Sequence, residues 1–358
     1  MYKIMLLPGD GIGPEIVDAS VKVLEAAGSR FGLQFSFDVE LIGGAAMDVH
    51  GIPLRPEVVD EARRRDAILL GAVGDPKYDD PNAKLRPEQG LLAIRKELGL
   101  FANLRPVKLY DQLVGASPVK PEVVRGTDIL FVRELTGGLY FGRPSETRQT
   151  PEGLTAIDTM VYTEKEIERV VRVAFKLAQG RRKKLSSVDK ANVLENSRLW
   201  RKVVERVAPE FPDVAFEHML VDSTAMRIIK SPRDFDVVVV ENTFGDILTD
   251  EASQVAGSMG MLPSASLGDG KLGMYEPAHG SAPKHAGKNT INPLATILSV
   301  AMMLRYSLER PDAADAVERA VEKTLDDGIR TRDIWEEGCV QAGTSQMGEA
   351  VAQRVLEG

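Results

Sequence analysis

The sequence predicts an α/β fold on a largely parallel sheet, and three observations predict it. Short, nearly continuous apolar runs at residues 67–70, 129–132, 185–188 and 237–240 have the form of strands covered on both faces. Segments with apolar residues at helical spacing lie between or after these runs. A glycine-rich turn separates the first strand from the first helix.

Taken in order, residues 3–7 form a buried strand ending in the turn of residues 8–14. Ile16, Val17, Val23, Leu24 and Ala27 then mark a helix over residues 15–27. Phe35, Phe37, Val39 and Leu41 alternate with polar residues, so that stretch is expected to be a strand with one buried face. Residues 215–220 add a further strand. Helices are expected near 164–179, 196–208, 245–256, 294–307, 312–326 and 345–356. Residues 136–159 are rich in glycine, proline and polar residues and lack a helical period, which predicts an arm or functional loop. No repeat, low-complexity tract or long linker interrupts the pattern.

Composition narrows the class. The 358 residues are enough for two domains at roughly 150 residues each. With 45 Lys plus Arg against 53 Asp plus Glu, the net charge is −8, which disfavours generic nucleic-acid binding. The basic run Arg181-Arg182-Lys183-Lys184 reads as a solvated helix end before a strand. A single cysteine, Cys339, excludes an internally disulfide-bonded scaffold. No apolar run approaches the ~18 residues of a membrane span, and the first one is too short for a signal peptide. A cytoplasmic protein without nucleic-acid or membrane partners is expected, with any useful positive charge concentrated at a site.

Three constellations could carry chemistry. Gly9-Asp10-Gly11-Ile12-Gly13-Pro14-Glu15 is either a tight structural turn or a cofactor loop; it lacks the third glycine of the dinucleotide fingerprint. Arg95, Arg105 and Arg133 suit bidentate carboxylate binding, provided the fold brings them together. Asp246 and Asp250, at i and i+4, share one helix face, where two unpaired carboxylates repel and a divalent cation removes the cost. Asp222 could complete an oxygen cage suited to Mg2+ or Mn2+. The alternative is a solvated helix face. The four histidines show no zinc-ligand spacing.

Together these segments resemble the isocitrate/isopropylmalate dehydrogenase family. The resemblance runs through the Gly9–Glu15 turn, Gly43-Gly44-Ala45-Ala46, Asn103-Leu104-Arg105-Pro106 and Arg133-Glu134-Leu135-Thr136-Gly137-Gly138-Leu139-Tyr140-Phe141-Gly142. It continues in Val188-Asp189-Lys190-Ala191-Asn192-Val193, the Asp246/Asp250 pair, Gly257-Ser258-Met259-Gly260-Met261-Leu262-Pro263-Ser264-Ala265 and His279-Gly280-Ser281-Ala282-Pro283.

The resemblance implies a two-domain α/β fold distinct from the Rossmann type. Residues 1–101 and 256–358 would form a cofactor-binding domain. Residues 102–255 would carry the metal ligands, an intersubunit arm and the interface of a homodimer with shared active sites. It implies that Arg95, Arg105 and Arg133 hold substrate carboxylates, and that Asp246 and Asp250, with Asp222 of the other protomer, ligate Mg2+ or Mn2+. Tyr140 and the other protomer's Lys190 would move protons. Ile12, Glu88, His279, Gly280, Ser281, Ala282, Pro283 and Asn292 would bind the coenzyme.

The expected reaction is oxidative decarboxylation of a 2-hydroxy acid with reduction of NAD(P). Substrate choice rests on the loop after Glu88, where isocitrate enzymes have a small hydroxyl residue and Asn. Leu91 and Leu92, closed by Val193 of the other protomer, suit an isopropyl group and leave a third carboxylate desolvated. A 3-isopropylmalate substrate, and hence leucine biosynthesis, is the expectation. Isocitrate, homoisocitrate, malate or tartrate, or a non-catalytic regulatory role, are the alternatives.

The adenosine side departs from the isopropylmalate branch, which has Asp-Ile where this chain has Lys284-His285. An ammonium attracts a 2′-phosphate that a carboxylate repels. Ile291 and Arg332 also differ from that branch, and all four changes predict a preference for NADP. NAD is the alternative, favoured by the neutral Ser231.

Overall fold

The computed structural model describes residues 1–80 and 83–358. Fourteen strands are present among them: β1 (Tyr2–Gly9), β2 (Phe35–Val39), β3 (Ala67–Ala72), β4 (Ala102–Lys108), β5 (Asp128–Glu134), β6 (Glu146–Thr150), β7 (Gly153–Ile157), β8 (Lys184–Asp189), β9 (Ala215–Leu220), β10 (Val237–Val240), β11 (Pro263–Leu267), β12 (Gly273–Pro277), β13 (Ile329–Arg330) and β14 (Val340–Gln341). The helices are α1 (Gly13–Phe31), α2 (Gly44–His50), α3 (Pro56–Ala62), α4 (Pro87–Glu97), α5 (Pro121–Val124), α6 (Glu164–Gln179), α7 (Glu195–Val207), α8 (Val221–Lys230), α9 (Asn242–Val255), α10 (Leu294–Tyr306), α11 (Pro311–Asp326) and α12 (Thr344–Glu357).

Ten strands make one sheet in the order β2-β1-β3-β12-β11-β4-β5-β10-β8-β9. The β2-β1-β3-β12 and β5-β10-β8-β9 flanks are parallel, and antiparallel pairings through β11 and β4 join them. The apolar runs expected to be central are β3, β5, β8 and β10, each with neighbours on both sides. Residue parity covers both faces. Ile4, Leu6, Ala67 and Leu69 enter one apolar cluster, whereas Met5, Leu7, Ile68 and Leu70 enter another on the opposite side.

The expectation of a one-sided buried strand at residues 35–41 needs correction. β2 is an edge strand that ends at Val39, which is 63% exposed, and Leu41 lies beyond it. Phe35 stacks on both Tyr2 and Phe37 along that edge. The helix expected from 245 begins at Asn242, because the Glu241 carboxylate caps it by accepting from the amides of Thr243 and Phe244. The 136–159 excursion contains the β6–β7 hairpin, a separate two-stranded ribbon. In the basic run, Arg181 pairs with Asp128 and Asp236 and Lys184 with Glu217, so the run ties the start of β8 to its neighbours. No helix among the described residues is long and apolar enough to cross a membrane.

Candidate active site

The site lies at the carboxyl ends of the parallel strands, where open α/β sheets hold ligands. The register of β4 and β5 assembles its basic wall. Asn103 lies directly opposite Arg133, and Arg105 opposite Phe131. Asn103, Arg105 and Arg133 therefore share one face of the sheet, and a one-residue slip would turn all three away. Asparagine amides hold both guanidiniums. Asn103 Oδ1 accepts from Arg105 Nε at 2.8 Å, and Asn242 Oδ1 accepts from Arg133 Nε and Nη2 at 3.0 and 2.8 Å. Arg95, from α4, donates to Glu276 at 2.6 Å, and its own Nε has no partner.

These arginines line a cavity of about 380 Å3 with Glu88, Leu91, Leu92, Tyr140, Asp246, Glu276, His279 and Gly280. The fold thus brings the three arginines together. The segment after Glu88, read as a loop, is the helix α4; Pro87 sits in its first turn, and Leu91 and Leu92 project from it into the cavity.

The aspartates are not the unpaired couple expected from spacing. Asp246 pairs with Arg133 and lies 3.5 Å from Arg105, and Asp250 lies 3.7 Å from Arg105. The two sites differ electrostatically. Burial would raise the Asp246 carboxyl, but Arg133 and Arg105 outweigh it and hold it below the usual carboxylate range. Burial raises Asp250 despite Arg105. Burial and Arg133 push Arg105 down to about 10. Tyr140 donates to Asp246 at 3.0 Å, and burial and that carboxylate push its phenol up to about 12, so it is a protonated donor at neutral pH.

The Asp250 carboxylate accepts no hydrogen bond among the described residues. It stands beside Asp246 as an oxygen donor set of the kind that suits a hard divalent cation. No group of three or more His, Cys, Asp or Glu within the described chain could hold a metal by itself. Asp222 pairs with Lys190 at 2.9 Å, and neither lines the cavity; nor does Val193, 61% exposed. Within one chain, Lys190, Val193 and Asp222 form a separate group at the ends of β8 and β9.

A second cavity of about 650 Å3 is lined by Ile12, Ser258, Gly260, His279, Gly280, Ala282, His285, Thr290, Ile291, Asn292, Arg332 and Asp333. It shares His279 and Gly280 with the first. Burial lowers His279, which stays neutral at pH 7.

Other expected coenzyme residues sit elsewhere. Glu88 lines the arginine cavity. Ser281 is buried, with its hydroxyl on the Gly74 carbonyl and its carbonyl on the Ile12 amide. Pro283 and Lys284 lie on the exposed turn beside the large cavity without lining it. Gly9 and Gly11 serve the protein itself. Both have positive φ, and a Cβ would come within 2.0 Å of the Ala72 carbonyl oxygen and 2.1 Å of the Ser281 carbonyl oxygen. Ile12 alone of that turn lines the cavity.

Sequence reasoning missed Glu276, the buried partner of Arg95, and two further carboxylates. Asp10 is buried and accepts from the amides of Gly44, Ala45 and Gly74 at 2.8–2.9 Å, knotting three loops under the site. Asp333 lines the large cavity, but Ser258, Asn292 and Thr331 already hydrogen-bond to it. Only the position of Asp10 between two glycines hinted at its role.

A cleft walled by three arginines meets a larger cavity at the strand ends, an arrangement that can hold an anionic ligand beside a second, larger one. Comparisons with known proteins identify the family. The sequence pattern of the isocitrate/isopropylmalate dehydrogenase family matches residues 3–351, and the chain belongs to that family. It is 58% identical over 350 residues to a 3-isopropylmalate dehydrogenase of Pseudomonas fluorescens, covering 98% of this chain and 97% of the relative. It is 57% identical to the enzyme of the same name from Xanthomonas euvesicatoria, covering 98% of each. Among solved structures, isocitrate dehydrogenase from Methylococcus capsulatus superposes with a TM-score of 0.88 at 36% identity, covering 99% of this chain and all of that one. A β-decarboxylating dehydrogenase from Thermococcus kodakarensis gives 0.80 at 34% identity, covering 100% of this chain and 97% of that one.

Proposed function

We propose that this protein oxidises and decarboxylates (2R,3S)-3-isopropylmalate to 4-methyl-2-oxopentanoate and CO2, as a cytoplasmic enzyme of leucine biosynthesis, with NADP taking the hydride. The observation that carries the reading is the meeting of the two cavities at His279 and Gly280, with three arginines and two leucines on the substrate side.

Arg95, Arg105 and Arg133 hold the substrate carboxylates. Leu91 and Leu92 receive the isopropyl group, where a third carboxylate would lie desolvated and unpaired. Lys190 of a second protomer would accept the C2 hydroxyl proton, and the bound coenzyme would supply the hydride acceptor. Tyr140 returns a proton to C3 after CO2 departs. Asp246 and Asp250, with Asp222 of the second protomer, would hold a Mg2+ or Mn2+ ion, which would supply Lewis-acid chemistry to the reaction.

Shared sites require a homodimer, and an apolar surface supports one. Met226 and Ile229 on α8 and Ile247 on α9 are exposed on adjoining helices, with Met226 at 67% and Ile247 at 63%. The β6–β7 hairpin would be the intersubunit arm. The sheet order supports the division into 1–101 with 256–358, and 102–255, because the strands of each set lie together.

The NADP preference is supported by Arg332 and His285 on the cavity wall and by exposed Lys284 beside it. Arg332 makes no ion pair with any described residue, so its charge is available to a 2′-phosphate. The reading is tested by product analysis. The protein incubated with 3-isopropylmalate, Mg2+ and NADP should release 4-methyl-2-oxopentanoate and CO2 in equal amounts; reduced coenzyme without CO2 would contradict it. Lys284→Asp should shift kcat/KM toward NAD, and an unchanged coenzyme ratio would remove that residue from the reading.

A further inference from the structure

The turn that carries Lys190 is held by a set of groups that never face either cavity. Asp189, the last residue of β8, is buried, and its Oδ1 accepts from the Ala191 amide at 2.8 Å. The same carboxylate takes a two-pronged grip from Arg201, with Nε to Oδ2 at 2.7 Å and Nη2 to Oδ1 at 3.0 Å. On the other side of Lys190, its own amide donates to Ser197 Oγ at 3.0 Å. Ser197 and Arg201 are at i and i+4 on α7, so one helix face holds both ends of the turn. The amides of Val193 and Leu194 close back on the Lys190 carbonyl at 3.0 Å each. The backbone on both sides of the lysine is therefore pinned, while its side chain is left to reach outward to Asp222.

We infer that Arg201 and Ser197 are positioning residues for Lys190, acting through Asp189 and the Lys190 amide, and that they serve the active site of the other protomer. This rests on the reading that Lys190 works in a second protomer's cleft. The physical case is that a proton carrier must sit within hydrogen-bond reach of the proton it takes, and small displacements of such a group are costly. The guanidinium fixes the direction of the Asp189 carboxylate, which fixes the amide following the lysine. A lysine at 201 would offer a point charge and lose the two-pronged geometry.

The test uses the full-length protein. Arg201→Ala should lower kcat about tenfold or more while KM for 3-isopropylmalate stays within about twofold, because the substrate-binding arginines are untouched. Arg201→Lys should recover part of that loss. Ser197→Ala should fall in the same direction by less, and gives a second variant should Arg201→Ala fold poorly. A kcat at the wild-type level in both alanine variants overturns the inference.

Mixed dimers then separate positioning from a general loss of structure. Arg201→Ala co-assembled with Asp246→Asn rebuilds one site from an intact Asp246 in one chain and a correctly held Lys190 in the other. Random assortment should restore about a quarter of wild-type activity. The control is Lys190→Ala mixed with Asp246→Asn. Recovery in the control without recovery for Arg201→Ala shows damage inside its own chain and overturns the inference. With no recovery in either mixture, the shared-site reading fails instead, and the kcat–KM split in the unmixed variants decides the role of Arg201.

Discussion

The cleft proposed for the substrate and the larger cavity proposed for the coenzyme share His279 and Gly280, yet their walls differ in kind. On the substrate side the charges are buried and tied down: Arg105 and Arg133 are held by asparagine amides and face Asp246, and Arg95 is bound to Glu276. On the side proposed for the coenzyme, the basic residues Lys284 and Arg332 and the imidazole of His285 are exposed, on short turns, and make no ion pairs with described residues. A change in the first wall strands a buried partner, which costs several kcal/mol. A change in the second is absorbed by water. On the proposed assignment, this contrast lets a chain keep its substrate wall while substitutions accumulate at the exposed rim.

The largest effect should come from the substrate side. Asp246→Asn removes a proposed cation ligand and the counter-charge of Arg133, so kcat should fall by ~10^3 or more, a loss of about 4 kcal/mol in transition-state stabilisation. Steady-state rates across a Mg2+ titration check this, and full recovery at high Mg2+ would show that only metal affinity had changed. Asp10→Ala leaves three buried amides without an acceptor, and urea unfolding should show a loss of about 2–4 kcal/mol. A change below about 0.5 kcal/mol would mean that water replaces the carboxylate.

Leu91→Ser tests the apolar end of the same cleft. It should cut kcat/KM for 3-isopropylmalate about 10- to 100-fold, as expected for lost apolar contact, and unchanged kinetics would remove Leu91 from the substrate pocket. The smallest effect concerns Asp250. Its carboxyl is raised above its unfolded value by burial, so the fold is favoured at acid pH, and that advantage is lost as pH rises through the raised value. A divalent cation binds the ionised form. The rise in Tm on adding Mg2+ should therefore grow with increasing pH and vanish in Asp250→Asn; a Mg2+ shift independent of pH would contradict the assignment.

Much of this was legible in the sequence, for physical reasons. The helix Glu164–Gln179 and the strand Ala215–Leu220 emerge with the bounds expected for them, the helix because its apolar stripe is strict and Thr163 and Glu166 cap each other. The arginines could be proposed but not joined, because their convergence depends on the pairing register of β4 with β5. The short helices Gly44–His50 and Pro56–Ala62 were not legible; each is too brief to show a period. Asp10 was out of reach as well, since its partners lie 34 to 64 residues away and are backbone amides that any sequence would supply.

The most direct test of the contrast between a fixed substrate wall and a rewritten coenzyme rim is one absorbance assay at the reduced-nicotinamide band, run with Mg2+ over four combinations. These pair 3-isopropylmalate or isocitrate with NADP or NAD. The highest kcat/KM is expected for 3-isopropylmalate with NADP, with little turnover of isocitrate. Comparable turnover of isocitrate would contradict the substrate wall, and a preference for NAD of about tenfold or more, some 1.4 kcal/mol, would contradict the coenzyme rim.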